Sequence, residues 1–225
     1  MKVGQLENII KLVSLEGLIK DFCVDIDGSV KAIDEVNTLL VDLQYGGITL
    51  ENKIGIDNGK KTMRLLSSFD KDQELVFTDS HITITEKGGK KAKIPLVNIE
   101  NIKQCPKLQD KEPDMIMYDV SLENLKKSAS HKTQELDEEY VFYVEDKITM
   151  LQVGNESCGL VTEPLGEISE IINQGQLLLS MNLIETIKSL EQNPDIIFYN
   201  SGFIKFKVKT DTYSIIYTLA GRIDS

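Results

Sequence analysis

The sequence predicts an α+β fold built from two tandem copies of one helix-and-strand unit. Three observations predict it: internal matches at nearly one offset, runs that alternate apolar and polar residues, and four segments with helical apolar spacing. Self-similarity outranks any local signal, because it fixes how many units must bury a common core. LENIIK at positions 6–11 recurs as LENLKK at 122–127, 116 residues later. A strand pair follows each copy, FCVDIDGSVKAI from Phe22 and YVFYVEDKITML from Tyr140, with Val30 and Ile148 offset by 118. The stretch Thr62-Met63-Arg64-Leu65-Leu66 answers to Thr186-Ile187-Lys188-Ser189-Leu190 at an offset of 124. A hairpin follows each of these too, ELVFTDSHITIT from Glu74 and DIIFYNSGFIKF from Asp195, with Phe77 and Phe198 offset by 121. Four ordered matches whose offset drifts only by loop-sized insertions mark a duplication.

Each element has a local reason. Helix one spans about 6–20, where Leu6, Ile9, Ile10, Val13, Gly17 and Leu18 fall on one face of a 3.6-residue period. The Asp25-Ile26-Asp27-Gly28 stretch resembles the start of a calcium loop but lacks the later ligands, so it reads as the turn between two strands. Helix two is predicted at about 60–68 and is followed by strands such as His81-Ile82-Thr83-Ile84-Thr85, whose alternation gives one buried and one wet face. Residues 98–114, NIENIKQCPKLQDKEPD, hold two prolines and mixed charge, which suits a connector. Helix three is predicted at about 121–134 and helix four at about 181–191, with the alternating run Phe203-Ile204-Lys205-Phe206-Lys207-Val208 beyond it. The expected organisation is a first domain over 1–99, a connector over 100–114 and a second domain over 115–225.

Composition removes several function classes. Of 225 residues 41% are hydrophobic, enough for packed cores, yet no run approaches the roughly 20 apolar residues that a membrane helix needs. The opening residues MKVGQLENII carry no long apolar stretch, so no secretory signal is expected. Three cysteines (Cys23, Cys105, Cys158) without CxxC spacing argue against a disulfide framework or a zinc site and for a reducing, intracellular compartment. No catalytic set assembles. There are two histidines, His81 in a turn-like Thr-Asp-Ser-His stretch and His131, and Gly88-Gly89-Lys90-Lys91 lacks the frame of a phosphate loop. A non-enzymatic protein without cofactor or metal is expected, and a hydrolase or transferase on the duplicated scaffold is disfavoured.

The net charge of −11, from 25 Lys+Arg against 36 Asp+Glu, excludes a uniformly basic surface but leaves room for a basic patch on an acidic body. Helix two carries Lys60, Lys61 and Arg64 and no acid, and helix three carries Lys126, Lys127, His131 and Lys132 against Glu123 and Glu135. These two faces favour contact with phosphates. Helix four offers Lys188 beside Glu185 and Glu191. On helix one, Lys11 and Lys20 each follow a glutamate by four residues (Glu7, Glu16), which fits a solvated ion-paired face as well as a functional one.

Three segments resemble the DNA sliding clamps of the proliferating-cell-nuclear-antigen type. Residues 32–43, AIDEVNTLLVDL, resemble the family's A-M-D-x-x-H-V-x-L-V-x-L strand and loop. The run from Lys53-Ile54-Gly55-Ile56 through Phe69 is similar to its strand leading into the second helix, and YTLAGRI at 217–223 is similar to its Y-x-L-A-P-[KR]-[IV] ending. The likeness runs in order along nearly the whole chain. It implies tandem clamp domains whose helices line a pore, with antiparallel sheets outside, closing head-to-tail into a ring that is usually a homotrimer. Such a ring would encircle double-stranded DNA without sequence preference and tether DNA polymerase and other clamp-binding peptides, after loading by a clamp-loader ATPase. It would work inside the cell with the DNA, in the cytoplasm and nucleoid or in a nucleus.

By the same resemblance Arg64, Lys126 and Lys188 fall at pore-facing positions. Lys61, Lys127 and Lys132 are their neighbours, and Lys11 and Lys20 are helix one's contribution. The implied partner-peptide pocket comprises Ile33, Asn37, Thr38, Leu40, Phe203, Leu219, Ala220 and Gly221. The chain departs from the pattern at Asn37, where the family has His, and at Gly221, where it has Pro. Little precedes helix one, so the first unit's opening strand is expected to be short or missing. A shortened clamp of viral or mobile-element origin would fit this form. The alternative is a clamp-fold accessory factor, monomeric or dimeric, that binds DNA by one basic face without closing a ring.

Overall fold

The computed structural model describes residues 1–107, 112–130, 140–145, 148–155, 159–167, 170–171, 177–179, 182–199 and 201–222. The chain divides into two units. The first comprises Met1–Glu35, Leu40–Pro106 and Thr210–Ser214, and the second Val36–Leu39, Lys107–Lys209 and Ile215–Ser225.

In the first unit, helix α1 (Val3–Ser14) buries Val3, Leu6, Ile9, Ile10, Leu12 and Val13. Strands β1 (Phe22–Val24), β2 (Val30–Ile33), β3 (Leu39–Tyr45) and β4 (Ile54–Ile56) follow, then α2 (Gly59–Leu66) and β5 (Leu75–Phe77), β6 (His81–Thr85) and β7 (Lys91–Pro95). Strands β4, β1, β2 and β3 lie side by side in that order, all antiparallel, and β5, β6 and β7 form a separate three-stranded sheet. The period-two alternation holds where it was read: Ile82 and Ile84 are fully buried, while Thr85 is exposed. The DIDG stretch is the β1–β2 turn, closed by Asp25 N–H donating to Ser29 O at 2.8 Å and Gly28 N–H to Asp25 O at 3.0 Å.

Helix one is displaced from its predicted span. It starts at residue 3, where the Gln5 side-chain oxygen accepts from the Lys2 amide at 2.8 Å, and ends at Ser14. Leu15 and Glu16 adopt positive φ (44° and 57°), which breaks the helix into a 3-10 turn over Leu15–Gly17. Lys20 therefore lies beyond the helix, and the expected Glu16–Lys20 pair does not form: Lys20 bonds Glu35 at 2.6 Å instead. Glu7 likewise reaches Lys71, at 3.7 Å. The first unit's opening strand is reduced to an isolated bridge between Lys2 and Glu74. His81, expected in a turn, is the first residue of β6, with its Nδ1 3.1 Å from Thr78 Oγ1 and 3.0 Å from Ser80 Oγ.

The second unit opens with a true strand, β8 (Met115–Met117), and then α3 (Leu122–Ser130). Next come β9 (Tyr140–Glu145), β10 (Ile148–Asn155), β11 (Gly159–Glu167), β12 (Glu170–Ile171), β13 (Leu177–Leu179), α4 (Asn182–Ser189), β14 (Asp195–Tyr199), β15 (Phe203–Lys209) and β16 (Tyr213–Arg222). The strand order is β11-β10-β9-β13-β16-β15-β14-β8-β12. The last residues predicted for helix three lie outside the described residues, as do His131 and Cys158. Both predicted hairpins of the repeat are present, β5–β6 in one unit and β14–β15 in the other. So are both strand pairs, β1–β2 and β9–β10. Each unit also sets its two helices against one another, α1 on α2 and α3 on α4.

Candidate nucleic-acid interface and partner-binding residues

The helix pairs decide where positive charge can act. In α2 the buried side is Gly59, Thr62 and Leu66, which turns Lys60, Lys61 and Arg64 to solvent. The helix starts where it does because the Asn58 side chain accepts from the Lys61 amide at 3.1 Å and the Gly59 amide donates to Lys20 O at 2.9 Å. Gly59 is where α2 meets α1: a Cβ there would lie 3.1 Å from Ser14 Cβ, 3.2 Å from Ile10 Cγ2 and 3.3 Å from Phe22 Cε1. Two lysines and no acid in the first turn run against the helix dipole, whose positive end favours carboxylates. A local choice that opposes helix stability is the kind of conflict that function explains.

The predicted cations separate into three groups. Lys61, Arg64 and Lys126 are exposed and form no ion pair among the described residues, and Lys60 joins them. Lys127 is neutralised by Glu163 at 3.2 Å, Lys188 by Glu185 at 2.8 Å and Lys20 by Glu35. The hydrogen bond and charge of Glu35 raise the Lys20 pKa, and Lys20 lowers that of Glu35 by the same means. Lys11 is exposed on α1, and Lys132 lies outside the described residues. Helix α3 presents Lys126 because Leu125, Ser128 and Ala129 take the buried side.

Sequence reading missed Lys2 and Lys71. Together with Arg64 and Lys11 they line a cavity of about 640 Å³ beside α1 and α2, floored by Asn8 and Tyr45. Neither lysine belongs to a helical stripe, so no periodicity could have singled them out. Both are ion-paired, Lys2 to Asp72 at 2.9 Å and Lys71 to Glu7.

The residues of the implied peptide pocket fall in two sets. In the first unit Ile33 and Leu40 are cross-strand partners on β2 and β3, Ile33 buried and Leu40 half-buried. In the second unit the exposed Ala220 donates its amide to Thr38 O at 2.8 Å, and Gly221 donates to Gly202 O at 2.8 Å. Asn37 is exposed with φ 63°, a left-handed conformation that asparagine tolerates. Leu219 is fully buried beneath, and Phe203 stacks on Tyr199 with ring centroids 4.2 Å apart. A larger cavity, about 810 Å³, lies in the first unit and is lined by none of these residues.

Three solved structures match this architecture over nearly its whole length. PCNA from Entamoeba histolytica superposes with a TM-score of 0.75 at 17% identity, covering 99% of this chain and 97% of that one. The chain has the fold of the PCNA sliding clamps. The A. fulgidus PCNA, in a structure with the C-terminal region of FEN-1 bound, gives a TM-score of 0.74 at 16% identity, covering 100% and 98%. A PCNA2–PCNA3 complex from Sulfolobus tokodaii gives the same TM-score, identity and coverage. No family model matches the sequence, and no curated protein matches it. The likeness is thus carried by the fold, as expected of a divergent clamp. The tandem α+β arrangement read from the internal repeat is the one these clamps share. Among the described residues no helix is long and apolar enough to cross a membrane.

Proposed function

We propose that this chain is a DNA polymerase processivity factor, a clamp that closes into a homotrimeric ring around duplex DNA. The carrying observation is the acid-free, unpaired cation face of α2, Lys60, Lys61 and Arg64, on a chain whose net charge is −11. A ring works by topology, so it needs weak phosphate contacts and no base readout. Lys126, on α3, adds positive charge in the second unit. Lys11, Lys20, Lys127, Lys132 and Lys188 are secondary contacts, of which Lys20, Lys127 and Lys188 must first give up a carboxylate partner and Lys11 is engaged as well.

Two strand edges support ring closure. Among the described residues β7 ends its sheet with the exposed Lys93, and β11 ends its own with the exposed Glu167. An exposed strand edge is a template for pairing, and edges of opposite charge select each other over themselves. The domain plan of 1–99, 100–114 and 115–225 belongs to the same proposal. So does a pocket for polymerase and other partner peptides at Ile33, Asn37, Thr38, Leu40, Phe203, Leu219, Ala220 and Gly221, and so does loading by an ATPase inside the cell. The FEN-1 segment bound to the A. fulgidus clamp supports the peptide role.

Sedimentation equilibrium across a concentration series tests the ring. A mass three times the 25.3 kDa of the chain, with retention on circular DNA and loss from linear ends, is the expected result. A chain-sized mass with equal affinity for linear and circular DNA overturns the ring and leaves a one-face DNA-binding accessory factor.

A further inference from the structure

Four of the seven residues at 87–93 are lysine (Lys87, Lys90, Lys91, Lys93), none is acidic, and all four lysines are exposed. They occupy the β6–β7 hairpin. The turn is closed by Glu86 N–H donating to Lys90 O at 2.9 Å and Gly89 N–H to Glu86 O at 2.9 Å. Lys90 ties this tip to the end of α2. Its ammonium donates to Ser68 O and sits 4.1 Å from the centroid of the Phe69 ring. The hairpin tip therefore stands beside the C-terminal end of the helix that carries Lys60, Lys61 and Arg64.

The nearby acids are already engaged. Glu86 accepts from the Asp70 amide at 3.1 Å, Asp70 from the Asp72 amide at 2.8 Å, and Asp72 pairs with Lys2. Lys87, Lys91 and Lys93 form no ion pair among the described residues. The tip is also bare. Gly89 has φ +85° and is required by the turn, but Gly88 is not in the left-handed region, and a Cβ on it would meet nothing within 4 Å. Neither the turn nor packing demands glycine at 88, whereas close approach of a ligand to the backbone does. Lysines on β7 also guard its edge against aggregation. That role explains Lys93, within the strand, but not Lys87, Lys91 at the turn end of β7 or the open backbone at Gly88. A protein partner would want an apolar or aromatic anchor, and the tip from Glu86 to Lys91 offers none.

We propose that the β6–β7 hairpin tip is a second phosphate-contacting element, extending the duplex contact of α2 through Lys87, Lys91 and the backbone of Gly88. The inference rests on the DNA-binding reading above. Its test is the salt dependence of binding a short duplex by the full chain, followed by fluorescence anisotropy, for the wild type, Lys87→Ala/Lys91→Ala, Gly88→Glu and Arg64→Ala. Each lost phosphate contact lowers the slope of log K against log salt by about 0.9. The double variant should lose about 1.8 from the slope, which at 0.15 M salt is on the order of a 30-fold loss of affinity. Gly88→Glu, a substitution into open space that spares the fold, should weaken binding in the same direction. A slope unchanged in the hairpin variants but reduced in Arg64→Ala overturns this inference and leaves the DNA reading standing. Absence of duplex binding by the wild type overturns both. Binding of poly-glutamate in place of the duplex, lost in the hairpin variants, also overturns it and assigns the tip to an acidic protein.

Discussion

The contact between α1 and α2 at Gly59 makes a quantitative prediction, because the position of Lys60, Lys61 and Arg64 depends on it. An added Cβ at residue 59 would meet three carbons at 3.1–3.3 Å, inside the roughly 3.5–4.0 Å optimum for carbon pairs. The three neighbours cannot retreat, since Ile10, Ser14 and Phe22 are all essentially unexposed. Overpacking a filled core costs about 1–3 kcal/mol, and alanine recovers at most about 0.5–1 kcal/mol of helix propensity. Gly59→Ala should therefore destabilise the first unit by about 1 kcal/mol, and Gly59→Val, with two further methyls aimed at the same wall, by about 3 kcal/mol. For a unit of this size each kcal/mol lowers the midpoint by roughly 4–8 °C. Differential scanning calorimetry of the full chain follows this midpoint. A Gly59→Val midpoint within about 2 °C of the wild type would refute the close approach, and with it the reason α2 holds its cations where it does.

The remaining predictions concern charge, docking and the unused polar groups. Charge reversal at Arg64 or Lys126 should weaken duplex binding and processive synthesis with unchanged thermal midpoints, since both are exposed; unaltered processivity moves the DNA surface elsewhere. Ala220→Glu leaves the amide bond to Thr38 intact but should abolish binding of a polymerase-derived clamp peptide by calorimetry, and retained binding removes Ala220 from the pocket. Ser14→Ala should stabilise by about 1 kcal/mol, because the buried Ser14 hydroxyl has no partner among the described residues and a methyl has none to lose; a destabilised variant would reveal a hidden partner. Burial raises the thiol pKa of Cys23 and Cys105, so the thiolate is scarcer at neutral pH than in a free cysteine. Peptide-resolved alkylation at pH 7.5 should be slower at both than in the unfolded chain and should accelerate as pH rises, and equal rates would refute the burial.

Much of the fold was readable because duplication leaves a signal that local propensity does not. The offset between repeats alone places α2 and α4, the hairpins β5–β6 and β14–β15, and the pairs β1–β2 and β9–β10. Helix one shows where that reasoning stops. The apolar spacing continues through Gly17 and Leu18, yet the chain turns at Leu15 and Glu16, whose positive φ no period encodes. The turn carries Lys20 off the helix and into reach of Glu35, so a residue counted as a helix cation is an ion-paired one.

The same distinction runs through the candidate interface. Sequence locates a lysine, but whether its charge is available depends on partners brought from elsewhere in the chain. Glu163 lies 36 residues from Lys127, and no spacing rule connects them. Glu185 lies three residues before Lys188, and there the pairing was within reach of the helical rule. Of the cations singled out on the helices, Lys60, Lys61, Arg64 and Lys126 form no ion pair among the described residues. On an acidic chain, α2 keeps Lys60 and Lys61 in its first turn against the helix dipole, without a carboxylate partner among the described residues, at a cost in stability. That expense is intelligible if the ligand is a polyanion held by many weak contacts, each of which must break readily for the protein to slide.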